Sequence, residues 1–130
     1  MELKLRIDWS ELDLFGHVNN VAFMKYIQAS RVNFWDNTGI SQLYKETNTG
    51  PMLASTSCQF KQPLFYPGNI RILVKVNFLK NTSFSFHHTI YNNDGNIAAE
   101  ADDVMVMYDF SKDEKVVIPD KIRDTLSKFI

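Results

Sequence analysis

The chain has a single cysteine, Cys58, so no internal disulfide can form. CxxC and HxxxH spacings, the usual frames of a zinc site, are missing as well, and no metal is expected. Neither sign of charge is in excess: 14 Lys and Arg stand against 15 Asp and Glu, a formal net charge of −1. A chain so balanced has no global basic field for nucleic acid or an anionic membrane, and any anionic ligand has to meet a local cluster of Lys and Arg. No apolar run approaches the roughly 20 residues that span a bilayer. Met1-Glu2-Leu3-Lys4-Leu5-Arg6 alternates apolar and charged residues and contains no signal-peptide core, so cytoplasm is the expected compartment. Repeats, low-complexity tracts and Pro- or Gly-rich linkers are also missing, and residues 1–130 are expected to form one domain.

What is present is apolar side chain: 45% of the residues are hydrophobic and 13% aromatic, enough for a packed core and too many for disorder. Leu3, Leu5 and Ile7 alternate with Lys4, Arg6 and Asp8, the pattern of a short strand with one buried face. A polar loop from Ser10 to Asn19 follows. Asn20 to about Asn37 has helical periodicity, with Asn19 or Asn20 as N-cap and Gly39 suited to the C-cap. Its apolar residues occupy nearly the whole circumference, broken by Lys25, Gln28, Arg31 and Asn33, so the helix is expected to be largely enclosed. A curved sheet is the natural wrapper, and the rest of the chain can supply it. Met52–Phe60, Ile70–Leu79, Ser83–Ile90 and Ile97–Phe110 are all β-prone. Asn93-Asp94-Gly95-Asn96 is expected to be a type I′ hairpin turn. Pro119 opens a short C-terminal helix. The fold class is therefore α+β: one long helix in a curved antiparallel sheet of about five strands. An open sheet of this kind leaves an edge that favours dimerisation.

The unusual stretch for chemistry is Trp9 to Asn20. Asp13 lies seven residues before the helix start, with Gly16 between. A helix N-terminus offers unpaired N–H groups and partial positive charge, which can polarise a carbonyl and hold a developing oxyanion. A carboxylate folded back toward it could attack that carbonyl or activate a water. Acyl transfer uses both parts. The plainer alternative is that an Asp in such a loop only forms a turn.

Asp13-Leu14-Phe15-Gly16-His17-Val18-Asn19-Asn20 resembles the signature of the hot-dog-fold acyl-CoA thioesterases of the 4-hydroxybenzoyl-CoA thioesterase group. The likeness extends through Phe60-Lys61-Gln62-Pro63-Leu64-Phe65-Tyr66-Pro67-Gly68, Leu79-Lys80-Asn81-Thr82-Ser83-Phe84, Asp94-Gly95 and Tyr108-Asp109. It implies a hot-dog fold, a homodimer or homotetramer, and acyl-CoA sites between subunits. It also implies that Asp13 is the catalytic nucleophile or general base and that the N–H at Asn20 meets the thioester carbonyl. No cofactor is implied, because a thioester is already activated and its thiolate leaves readily. Between Asn20 and Trp35 the helix carries no acid, and Asp36 lies at its far end, which leaves Asp13 ahead of Glu11.

The remaining candidates divide between chemistry and scaffold. His17 either orients Asp13 or lines the pocket, or else bonds only to backbone. Asn19 is counted with the substrate contacts, although it also suits a helix cap. Lys61 and Lys80, at strand ends, are the favoured contacts for CoA phosphates; Arg71 and Lys75 fit a solvated sheet face. Lys80 and Asn81 replace the Gly and Arg that the family places before its strand Ser. Ser83 is a candidate hydrogen-bond donor to substrate. His87 and His88 are adjacent on a strand and so face opposite sides. Cys58 reads as a small apolar residue. Two alternatives to acyl-CoA hydrolysis are hydrolysis of an acyl-carrier-protein thioester and non-catalytic binding of an acyl thioester. A hydratase lacks its paired Asp and His.

Overall fold

The computed structural model describes residues 1–130. Strand β1 (Glu2–Arg6) leads through a single 3-10 turn (Trp9–Glu11) and a loop to helix α1 (Asn20–Asn37) and helix α2 (Ile40–Thr47). Strands β2 (Thr49–Phe60), β3 (Asn69–Leu79), β4 (Ser83–Tyr91) and β5 (Ile97–Asp109) follow, then the two-residue β6 (Glu114–Lys115) and helix α3 (Asp120–Ser127). The strands form one antiparallel sheet in the order β1-β3-β4-β5-β2, with β6 paired to the end of β5. The sheet curls around α1, the α+β arrangement expected from the helix's apolar girth. No helix is long and apolar enough to cross a membrane.

Sheet periodicity follows the sequence closely. Ile70, Ile72, Val74 and Val76 of β3 and Phe84, Phe86, His88 and Ile90 of β4 all face inward and are buried. The core divides in two along α1. Phe23, Tyr26 and Ile27 pack with Ile7, Ile72, Ile90 and Ala101. Phe34 packs with Phe86, Met105, Met107 and Leu126 of α3. Each large side chain so buried is worth roughly 1.5–3 kcal/mol.

Between the two clusters lies a polar layer. Ser30 Oγ is 3.0 Å from His88 Nδ1, His88 Nε2 is 2.6 Å from Asp103 Oδ2, and Arg31 Nη1 donates to the same oxygen at 2.9 Å. Asp103 and His88 are both fully buried. Burial alone would raise the Asp103 pKa; hydrogen bonds from His88 and Thr56 and the nearby positive charges outweigh it and hold the carboxyl below its usual value. Thr56 is also the strand partner of Asp103, so this layer joins α1, β4, β5 and β2 at one level.

Three expectations need correction. Helix α1 is enclosed on one flank only: Val21 is 62% and Val32 46% exposed, because a single sheet can wrap a helix from one side. The Asn92–Asn96 hairpin is not type I′, which needs two positive φ angles; only Gly95 (φ 80) has one, so a type I turn is followed by a left-handed glycine. Helix α2 and the first residues of β2 were absent from the expected elements. Ile40, Leu43 and Tyr44 have the helical spacing, and Gly39 (φ 82), expected only as a C-cap, is also the N-cap of α2. It ends α1 and starts α2 at once.

Candidate active site

The loop before α1 is held at its base. Leu12 and Val18 form an isolated bridge, Val18 N donates to Leu64 O at 2.9 Å, and Asn19 N donates to Glu11 O at 2.8 Å. The buried Glu11 carboxylate accepts from Asp8 N and from the Tyr26 hydroxyl, each at 2.8 Å, with Lys25 Nζ 3.6 Å away. Burial first, then Glu11, pushes the Tyr26 phenol far above its usual range, so it stays a donor. Glu11, second among the candidate acids, is a strut that ties the loop to α1.

Above that base Asp13 to His17 is a tight turn. Asp13 N donates to His17 O at 2.7 Å, Gly16 N donates to Asp13 O at 3.2 Å, and Gly16 takes the left-handed conformation (φ 79). Asp13 Oδ1 accepts from Phe15 N at 2.8 Å and His17 N at 3.0 Å. These two bonds fix the carboxylate plane and leave Oδ2 without a protein donor. Asp13 is exposed and borders a cavity of about 350 Å³ together with His17, Asn20, Phe23, Phe60 and Lys61.

Helix α1 meets the same cavity end-on. Asn19 is its N-cap, its Oδ1 accepting from Ala22 N at 2.8 Å. Asn20 is the first helical residue, and the N–H groups of Asn20 and Val21 are first-turn donors with no helical carbonyl to take them. Phe23 and Phe60 form one wall, their rings edge to face with centroids 5.1 Å apart. A carboxylate, the first residue of α1 with its orphan N–H, and an apolar wall around one cavity suit the attack of water or carboxylate on a polarised carbonyl.

Asp13, His17, Asn20 and Lys61 are therefore brought together. The His17 ring packs edge-on against Phe65 at 5.1 Å while its backbone N–H orients Asp13. Asn19 caps the helix beside the cavity rather than lining it. Lys80, in the β3–β4 turn, and Ser83, the first residue of β4 and the partner of Val106, lie at one end of the sheet, whereas the cavity is at the Ala98–Ala99 end of β5. Within one chain they are at the opposite end of the sheet. Lys80 Nζ instead lies 4.6 Å from the centroid of the Phe78 ring. Cys58 is half-buried, and burial, then the Asp103 charge, raises its thiol pKa, which suits packing. His87 faces outward between Asp102 (2.8 Å) and Glu100 (3.2 Å). Gln62, not singled out in the sequence, also borders the cavity, placed there by its backbone bond to Ala98 O at 3.1 Å.

Residues 7–126 match the profile of the thioesterase-like superfamily. The uncharacterized protein YsmA of Bacillus subtilis is 27% identical over 123 residues, covering 95% of this chain and 82% of that protein. The structure of BH1999 gentisyl-coenzyme A thioesterase superposes with a TM-score of 0.85 at 23% identity, covering 97% of this chain and 99% of that one. Slr0204, a 1,4-dihydroxy-2-naphthoyl-CoA thioesterase from Synechocystis, gives a TM-score of 0.85 at 12% identity, covering 97% and 94%. At such identities the two superpositions speak for the hot-dog fold.

Proposed function

We infer, because this chain belongs to the thioesterase-like superfamily, that it is an acyl-CoA thioesterase releasing a carboxylic acid and CoA. The observation that carries the reading is the Asp13 carboxylate, fixed through Oδ1, unpaired at Oδ2, and sharing one cavity with the first turn of α1. The thioester carbonyl is placed against the N–H groups of Asn20 and Val21, which stabilise the oxyanion as it forms. Asp13 then adds to the carbonyl carbon, or takes a proton from a water that does. The C–S bond breaks and CoA leaves as its thiolate. If Asp13 adds directly, a water hydrolyses the anhydride so formed, which frees the carboxylic acid and restores the Asp13 carboxylate. Lys61 at the rim is the contact for a CoA phosphate, and the Phe23–Phe60 wall receives the carbon skeleton beside the carbonyl. That two structural neighbours bear the names of aryl-CoA thioesterases favours CoA over a carrier protein as the handle. A cytoplasmic location follows from a CoA thioester substrate.

The test is thiol release from a panel of short, long, branched and aromatic acyl-CoAs by the native protein and by Asp13→Asn. Turnover of at least one thioester, lost in the variant, is the expected outcome. Equal rates for the two proteins would overturn the assignment, and tight acyl-CoA binding with no turnover in the native protein would make it a binding protein.

A further inference from the structure

Helix α1 has a cavity at each end. The Asp13 cavity lies at Asn20 and Phe23. The other, of about 360 Å³, lies at Trp35, where α1 gives way to α2, and it shares no residue with the first. Asn20 and Trp35 both belong to α1, and at 1.5 Å per residue the rise between them is roughly 22 Å. A small ligand at one end does not reach the other.

The second cavity is built from rings. Gly39, left-handed at φ 82, turns the chain from α1 into α2. Tyr44 of α2 and Phe110, which follows β5, meet edge to face with ring centroids 5.7 Å apart. Trp35 is held from behind: its ring stacks on Phe86 at 5.2 Å and lies edge-on to Phe34 at 5.8 Å. Gly50 and Pro51, at the start of β2, add bare backbone and a rigid ring to the lining. Tyr44 nevertheless remains 47% and Phe110 41% exposed. Aromatic faces already fixed in place and still wet gain both by excluding water and by ring-on-ring contact when a flat apolar group enters. The volume is within the range of small-molecule sites, roughly 300–1,000 Å³.

Two charges border this cavity. Asp36 is engaged, its Oδ1 accepting from Ser41 Oγ at 2.5 Å. Lys45, in the last turn of α2, takes part in none of the molecule's ion pairs. The complement of a ring-lined cleft with one uncompensated ammonium is a flat apolar body with one negative group. We propose that this cleft is a second ligand site, separate from the Asp13 cavity, for a small aromatic carboxylate whose ring lies against Trp35, Tyr44 and Phe110 and whose carboxylate meets Lys45. The site stands whether or not Asp13 hydrolyses a thioester.

Tryptophan emission tests this. The chain has two tryptophans, Trp9 and Trp35, and Trp9 is 71% exposed. In the full-length Trp9→Phe protein the emission therefore reports on the cleft alone. Benzoate is expected to change it saturably and acetate to leave it unchanged, with benzylamine binding about tenfold more weakly than benzoate. In the same background Lys45→Met is expected to lower benzoate affinity about five- to tenfold without affecting benzyl alcohol, and Tyr44→Leu to weaken both. Asp13→Asn is expected to bind benzoate as its parent does. The absence of any saturable change with benzoate overturns the site. Benzylamine binding as tightly as benzoate overturns the carboxylate, since Asp36 then selects the ligand. Benzoate binding that Lys45→Met leaves intact, or that Asp13→Asn abolishes, puts the ligand elsewhere and overturns the site as well. Lys45→Met, at an exposed position, decides the matter if Tyr44→Leu does not fold.

Discussion

Two turns in this molecule share one backbone design. In the Asp13–His17 turn, Asp13 N donates to His17 O, Gly16 N donates to Asp13 O, and Asp13 Oδ1 accepts from Phe15 N and His17 N. In the Asn92–Asn96 turn, Asn92 N donates to Asn96 O, Gly95 N donates to Asn92 O, and Asn92 Oδ1 accepts from Asp94 N and Asn96 N. Both glycines are left-handed, at φ 79 and φ 80. The first position is an acid in one turn and an amide in the other. One oxygen serves the turn in either case, so the charge of Asp13 is surplus to the fold. Asp13 is thus the turn-former that its loop position suggests, and it is also a carboxylate kept where the turn does not need one.

The sharpest way to break this comparison is Asp13→Asn, which makes the first turn like the second. Activity should fall roughly 10²- to 10⁴-fold, while chemical denaturation should show stability within about 0.5 kcal/mol of native. Next comes the donor that the second turn lacks. Asn20→Pro deletes the first-turn N–H at a position where helices tolerate proline, and Asn19 already has an extended conformation (ψ 161) that proline accepts. If that N–H holds the oxyanion, kcat should drop about 10²- to 10³-fold with the circular dichroism spectrum retained.

The buried acid Asp103 supplies a contrast in stability. Its folded pKa lies below the ordinary 3.8, so its contribution is present above that pH and is lost as pH falls through the folded value. Below pH 4 the unfolding free energy of the native protein should decline more steeply than that of Asp103→Asn, by up to about 1.4 kcal/mol per pH unit. Asp13→Asn should leave this limb unchanged.

The glycine pair is a smaller, matched test. No atom would crowd a Cβ at Gly16 or Gly95, so Gly16→Ala and Gly95→Ala each meet only the left-handed backbone cost of about 1–2 kcal/mol. Equal losses in melting experiments are expected, with reduced turnover for Gly16→Ala alone. Smallest of all, Asn92→Asp should alter stability by no more than about 0.5 kcal/mol and activity not at all.

Much of this could be read along the chain. The span of α1, the inward phase of β3 and β4, and the opposed directions of His87 and His88 follow from period and alternation, which are local properties. Helix α2 was hidden because Gly39 has the conformation that both ends one helix and begins another. Lys61 and Lys80 both follow a strand end in the sequence, but β2 and β3 run in opposite directions, so the two cations lie at opposite ends of the sheet. The polar layer of Ser30, His88 and Asp103 was invisible for a different reason. Its members are 58 and 15 residues apart, and only the strand register brings them within hydrogen-bond distance.

The sequence by itself determined a helix wrapped by an antiparallel sheet and an acid, a glycine and an asparagine cap ahead of that helix, because side-chain pattern and backbone preference act over a few residues. Tertiary structure decided that Glu11 is a buried strut while Asp13 keeps a free oxygen at a cavity. It also decided that Ser30, His88 and Asp103 meet in one buried layer. Those distinctions depend on which distant segments exclude water from a group, and solvent exclusion is a property of the packed chain.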